Sequence, residues 1–121
     1  MAKFIISFGA SAMDHIPDED GPAVADAAHA VVQEILNAGV YVVAGGLENR
    51  RSSIVATDGT VLDGPQPEAI SGLTIIEVSS REEAMKWAAK IAVACRCAQE
   101  VWGIGDDPEL EAMLENAGGQ T

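Results

Sequence analysis

The chain has 121 residues, of which 48% are hydrophobic, and its 19 acidic and seven basic residues give a formal net charge of −12. This length suits one domain, and the hydrophobic content excludes wholesale disorder. A surface this acidic repels the phosphates of nucleic acids and anionic membranes. We therefore expect neither as a partner. No apolar run approaches the roughly 20 residues of a membrane helix, and no apolar signal region follows Met1, which together predict a cytoplasmic protein.

The first half of the chain predicts a strand, a helix and a second strand. Residues 3–8 are typical of a buried strand, which ends at Gly9. Pro22 suits the first turn of a helix, and Gly39 suits its C-terminal end. Apolar residues recur along one face of this helix at Val24, Ala28, Val31 and Ile35. Residues 40–44 then predict the second strand.

The second half predicts a hairpin, a strand, a helix and a last strand. Asp58-Gly59 is a strong hairpin signal, because this pair tolerates the positive φ of a tight turn. Ser80 and Glu83 have the spacing of a capping box at the start of a helix. The predicted segments are strands at 53–57, 60–62, 73–78 and 98–104, with the second helix following residue 80.

The order of these elements, β-α-β-(hairpin)-β-α-β, predicts an α+β ferredoxin-like domain over residues 1–105, with two helices on one face of an antiparallel sheet. Residues 106–121 are expected to form an acidic C-terminal tail with a short helix. Residues 4–6 and 40–43 are apolar on both faces of their strands, although two helices can cover only one. Soluble monomers avoid a bare apolar face, so we predict a homodimer.

His29 is the first candidate for chemistry. It lies about 115° from the centre of the apolar helix face, at roughly 100° per residue. At this border the imidazole can reach both a cleft and solvent, and histidine suits general acid or base catalysis near neutral pH. The alternative is a boundary histidine that is satisfied by Asp26, three residues earlier. The residues alone leave both interpretations open.

Asp63 is the second candidate. It ends an apolar strand and precedes Gly64-Pro65, so its carboxylate can point into the space beside the sheet. The alternative is structural, because the first residue of a turn commonly accepts hydrogen bonds from the backbone amides ahead of it. Pattern alone leaves both roles open.

Other polar groups give weaker signals. Cys95 and Cys97 are too close in sequence for a usual disulfide and lack partners for a zinc site, so we expect reduced thiols. Arg50-Arg51 could attract an anion, although a solvated loop pair is more typical. No dinucleotide fingerprint is present, and we predict no cofactor and no metal. One acidic loop carries side chains that can bind metals, but their spacing is not that of a calcium-binding loop. These residues are Asp14, His15, Asp18 and Asp20.

Several segments resemble the YCII-related (DGPF-motif) protein family. Residues 58–65, Asp-Gly-Thr-Val-Leu-Asp-Gly-Pro, are similar to its DGPF segment, and residues 72–78 to the strand that follows. Residues 83–91 are similar to its second helix. The first helix with His29 and the second strand also match, so the resemblance covers roughly residues 3–104. Two departures are Gln66-Pro67, where the motif has phenylalanine, and Trp102-Gly103, in place of a basic residue and proline.

The resemblance implies a dimeric α/β-barrel assembly with a cleft near the first helix. In such families a helix histidine with an acidic partner is the proposed catalytic pair, and at least one relative eliminates chloride from a chlorinated hydroxyquinol. His29 would then be the base and Asp63 its orienting partner, in a cofactor-free lyase or isomerase acting on a small cyclic or aromatic compound. Two alternatives remain, a non-catalytic ligand-binding protein and a protein-interaction module that uses the acidic tail.

Overall fold

The computed structural model describes residues 1–48, 51–64 and 69–119, and it has the α+β class that the sequence predicts. Its elements in chain order are β1 (Ala2–Gly9), a 3₁₀ helix (Asp18–Asp20), α1 (Gly21–Asn37), β2 (Tyr41–Gly46), β3 (Ser53–Val55), β4 (Val61–Asp63), β5 (Ile70–Val78), α2 (Arg81–Cys95), β6 (Glu100–Gly103) and α3 (Pro108–Gly119). Each predicted strand and helix is thus present, with ends that differ by a few residues.

Four strands form the main sheet in the order β2-β5-β1-β6. All neighbouring pairs are antiparallel: β1 with β5, β1 with β6, and β2 with β5. The described strands leave this sheet open at β2 and β6 rather than closed into a barrel. The predicted hairpin is separate, as a two-stranded sheet of β3 and β4.

One face of the main sheet carries the hydrophobic core. Alternate residues of β1 and β5 are buried there, because side chains alternate between the two faces of a strand. α1 and α2 pack in the same buried cluster, so both helices cover this face. A hydrogen-bonded ion pair joins them across 2.8 Å, from Lys90 Nζ to Glu34 Oε1. The core includes Phe4, Ile6, Ile76 and Val78 from the sheet and Val31, Ile35, Ala84, Ala88 and Ile91 from the helices.

The opposite face of the sheet is also apolar. Ile5 pairs with Trp102 across β1 and β6, and Val43 pairs with Ile75 across β2 and β5. Trp102 keeps 60% of its surface exposed and Val43 keeps 44%. The single chain therefore presents an apolar sheet face to solvent, as the two-sided strand pattern predicts.

Local signals in the sequence account for the ends of several elements. Gly39 follows α1 with φ 75°, and Gly59 has φ 88° in the β3–β4 turn. At the start of α2 the Ser80 hydroxyl accepts from the backbone N–H of Glu83 at 3.2 Å. The Glu83 carboxylate accepts from the backbone N–H of Ser79 at 3.1 Å. The capping box is therefore present, with its return bond one residue earlier than the motif suggests.

The C-terminal segment forms α3, which begins after residues 104–107 leave β6. Residues 108–118 are all exposed, including the apolar side chains of Leu110, Met113 and Leu114. Over residues 1–48, 51–64 and 69–119, no helix combines the length and the apolar character that crossing a bilayer requires.

A candidate ligand cavity beside His29

A cavity of about 280 Å³ lies between the two core helices and the sheet. The strands β1, β2 and β5 line one side of it, and α1 and α2 line the other. Apolar side chains and glycine backbone make up most of its wall, which suits the apolar body of a small molecule. These wall residues are Ile6, Phe8, Ala28, Val31, Val32, Ala44, Gly45, Gly46, Gly72, Leu73 and Ile91.

Five polar side chains complete the wall: His29, Tyr41, Thr74, Cys95 and Gln99. His29 is exposed, so it lies at the mouth of the cavity, whereas Thr74 and Cys95 are buried. Among the described residues, no Lys, Arg, Asp or Glu lines this cavity. The described wall is therefore largely apolar, without carboxylate, ammonium or guanidinium groups, and has hydrogen-bonding side chains at a few points.

Each polar group reaches the cavity because of its place in the fold. His29 follows Ala28 on the border of the α1 face that packs on the sheet. The β2–β5 register aligns Tyr41 with Ile76 and Ala44 with Thr74, which places Tyr41 and Thr74 on the helix-covered side. Cys95 is the last residue of α2, and its side chain closes the cavity from the helix end.

Within the part of the chain that the structure describes, the His29 imidazole forms no hydrogen bond or ion pair with another residue, Asp26 included. An imidazole at a cavity mouth can accept a proton from, or donate one to, a bound molecule. The first candidate residue therefore lies in the wall of an apolar cavity.

Asp63 lies elsewhere. Its carboxylate accepts a hydrogen bond from the Ser53 hydroxyl at 2.5 Å, across the β3–β4 hairpin. It does not line the cavity, so the structure does not bring His29 and Asp63 together within one chain. The next residues of the family-like motif, Pro65, Gln66 and Pro67, lie outside the described residues.

The two cysteines are free thiols, one buried and one partly buried. Burial raises the pKa of Cys95, and the neighbouring Cys97 raises it further. Burial also raises the pKa of Cys97, opposed by a hydrogen bond from the Gln99 amide. The Gln99 Nε2 lies 3.5 Å from the Cys97 Sγ. Protonated thiols are weak nucleophiles, so we expect Cys95 to line this cavity and not to act as a nucleophile.

The remaining charged candidates are placed at the surface. Arg51 is exposed and lies 3.9 Å from the Glu48 carboxylate, while Arg50 is outside the described residues. Asp20, in the acidic loop, pairs with Arg96 at 2.7 Å. Across residues 1–48, 51–64 and 69–119, no three side chains of His, Cys, Asp or Glu are grouped so as to hold a metal ion.

Comparison with known protein families finds no match to this sequence, and comparison with curated proteins finds none either.

Sequence reasoning did not identify Tyr41, Thr74, Gln99 or Cys95 as site residues. Tyr41 and Thr74 look like ordinary strand residues, and only the β2–β5 register shows that they share a cavity. That register shifts between Tyr41 and Val43, which no turn signal in the sequence announces. The one usable signal was polarity at otherwise apolar strand positions, because buried polar side chains need a partner or a ligand.

Proposed function

We propose that this protein binds a small, uncharged cyclic compound in the cavity beside His29, and that His29 acts as the general base of a cofactor-free elimination or isomerisation. The observation that carries the proposal is the position of the imidazole at the mouth of an apolar cavity of about 280 Å³. Such a pocket, with few convergent polar groups, is the usual form of a small-molecule site.

The chemistry of the wall supports an uncharged ligand. An anionic ligand would meet no Lys or Arg side chain among the described wall residues, and the net charge of −12 opposes its approach. A hydroxyl or carbonyl group on the ligand finds hydrogen-bonding partners in His29 and in the hydroxyls of Tyr41 and Thr74.

In the proposed reaction the imidazole removes a proton from a carbon of the bound ring. The electron pair of that C–H bond forms a new C=C bond, and the leaving group departs with its own bonding pair. In an isomerisation the imidazolium returns the proton to a different carbon. Both routes need only a base that is positioned against the ligand and shielded from bulk water by apolar walls.

An orienting role for Asp63 stays a prediction. Within one chain its carboxylate is engaged by Ser53 in the hairpin, so the base role rests on His29 alone. The Asp63→Asn variant separates the two possibilities. Lost turnover with unchanged ligand binding would support an orienting role, and unchanged turnover would leave Asp63 as a hairpin residue.

We also propose a ferredoxin-like homodimer related to the YCII-related proteins. The strand order β2-β5-β1-β6, with two helices on one face, supports this finer assignment. The apolar opposite face, where Ile5 meets Trp102, supports a second copy as its cover.

The test is a thermal-shift screen of small phenols, quinols and lactones on wild type, His29→Ala and His15→Ala. His15 is an exposed histidine of the acidic loop that does not line this cavity, so it is the matched control. We expect a ligand that raises the melting temperature of wild type and His15→Ala but not of His29→Ala. Equal stabilisation of all three proteins would contradict a role for His29.

A second candidate is a protein-interaction function for α3. The observation that favours it is the exposed apolar stripe of Leu110, Met113 and Leu114. Removing the residues from Asp107 onwards would then abolish contact with a protein partner while leaving ligand binding at His29 unchanged. Loss of ligand binding in the truncated protein would argue against a separate role for the tail.

A further inference from the structure

A second, shallower cavity of about 520 Å³ adjoins the first, on the side of the 3₁₀ helix and the acidic loop. Four residues line both cavities: Phe8, Ala28, Gly46 and Cys95. Three of these are small, so among the described residues Phe8 is the one bulky residue that both cavities share. The two cavities therefore adjoin at Phe8, and they are called the His29 compartment and the second compartment.

We propose that Phe8 is a specificity-determining residue, whose ring limits the length of the uncharged ligand that the His29 compartment accepts. This inference rests on the proposed function, because it assumes that a ligand binds beside His29. The polar head of the ligand would bind beside His29, and any apolar extension of the ligand would run under α1 toward the second compartment.

The neighbouring strand β5 determines where the Phe8 ring can lie. Phe8 pairs with Gly72 across β1 and β5. A Cβ added at residue 72 would lie 2.5 Å from the Phe8 Cζ and 2.6 Å from its Cε1. Only a glycine lets the ring lie this close to the β5 backbone. The Phe8 ring therefore occupies the space that a side chain at residue 72 would need.

The second compartment favours an apolar extension. Its wall is formed largely by Met13, Ile16, Pro17, Val24 and Ala25. Asp18 is the one ionisable carboxylate among its described wall residues, and no Lys or Arg lines it. The pairing of Arg96 with Asp20 links the end of α2 to the 3₁₀ helix beside this wall. A ligand with an uncharged polar head and a hydrocarbon tail matches both compartments.

The experiment measures the dissociation constants of phenol, para-propylphenol and para-hexylphenol by calorimetry, on wild type and Phe8→Ala. We expect the affinity for para-hexylphenol, relative to that for phenol, to be about tenfold higher in Phe8→Ala than in wild type. The reason is that removal of the ring lets roughly two further methylene groups of the tail leave water. Para-hydroxybenzoate, an anion of similar size, should bind neither protein measurably.

The outcomes separate this inference from the proposed function. If wild type binds phenol and the preference for tail length is the same in both proteins, the specificity-determining role of Phe8 is wrong and the His29 site stands. If no phenol binds either protein, both proposals are wrong. Should Phe8→Ala not fold, Phe8→Leu replaces it, and the same change in preference, of smaller size, is expected.

Discussion

The ring of Phe8 lies against the backbone of Gly72, so closely that a Cβ on residue 72 would stand 2.5 Å from the Phe8 Cζ. This contact joins neighbouring strands of the sheet at a residue, Phe8, that lines both compartments. A single missing methyl group on β5 thus determines where an aromatic ring of β1 can lie.

The contact predicts strong coupling between the two residues. Gly72→Ala should lower the free energy of unfolding by about 1–3 kcal/mol, the usual cost of overpacking, because the ring must move. In a Phe8→Ala background the same substitution should be neutral or slightly stabilising, since alanine loses less entropy than glycine on folding. Urea denaturation of wild type, both single variants and the double variant measures this coupling.

Gly45→Ala is the matched control for that cycle. Gly45 lies on β2, which β5 separates from β1, and a Cβ there would meet no atom within 4 Å outside its chain neighbours. We expect no coupling between Gly45→Ala and Phe8→Ala beyond about 0.5 kcal/mol. Additive effects of Gly72→Ala and Phe8→Ala would contradict the packing described here.

The capping box of α2 gives a second prediction. The Ser80 hydroxyl accepts from the Glu83 N–H, so Ser80→Ala leaves an unpaired donor in the first turn. We expect a loss of about 1 kcal/mol in the free energy of unfolding, measured by denaturation in urea. Ser80→Asp should retain most of the stability, because its carboxylate can accept the same bond. Equal losses in both variants would contradict the capping role.

The thiols predict a pH dependence of stability. Burial raises the pKa of Cys95 in the folded chain above its value in the unfolded chain. The folded state therefore holds the thiol proton more tightly. The stability that Cys95 contributes is fully present below about pH 8.5, the ordinary thiol value. It is lost as the pH rises through the folded pKa.

We therefore expect wild type to lose more stability than Cys95→Ala as the pH rises above about 8.5, the ordinary thiol value. The comparison uses the slope of unfolding free energy against pH, since the alanine also changes packing. Iodoacetamide should also modify the partly buried Cys97 before the buried Cys95 in the folded protein. Parallel slopes, or faster labelling of Cys95, would contradict this assignment.

The open sheet face gives the prediction for the proposed dimer. Trp102→Glu places a charge on this face, at the edge strand β6, so a dimer that buries it should dissociate. Val93 is the matched control, since it is an exposed apolar residue of α2 with 81% of its surface accessible. Light scattering should show a dimer for wild type and Val93→Glu and a monomer for Trp102→Glu. A wild-type monomer at micromolar concentration would contradict the dimer.

Much of the fold was predictable because its signals are local. Asp58-Gly59 specifies its own turn, with the Asp58 carboxylate accepting from the Thr60 N–H at 2.9 Å. The Ser80 cap and the helix-ending Gly39 likewise depend on neighbours in sequence. His29 was identified for the same reason, because helical periodicity alone places it at the border of a buried face.

The rest of the site depends on contacts that periodicity does not encode. Thr74 reaches the cavity through the β2–β5 register, and the Phe8 ring takes its position beside the cavity through its contact with Gly72. Asp63 shows how a turn signal alone leaves a role open, because the signal is equally consistent with a catalytic carboxylate and with the observed bond to Ser53. The contacting residue lies on another strand in both cases, Gly72 for Phe8 and Ser53 for Asp63. The spacing of side chains along one strand gives no information about such contacts.

The most direct test of the His29 cavity is a proton NMR titration of wild type with phenol, following the ring signals of the two histidines. His29 lines the cavity, whereas His15 lies in the exposed loop. We predict a saturable change in the His29 signals, with the His15 signals unchanged. A bound phenol that moves neither histidine, or both alike, would contradict a ligand site at His29.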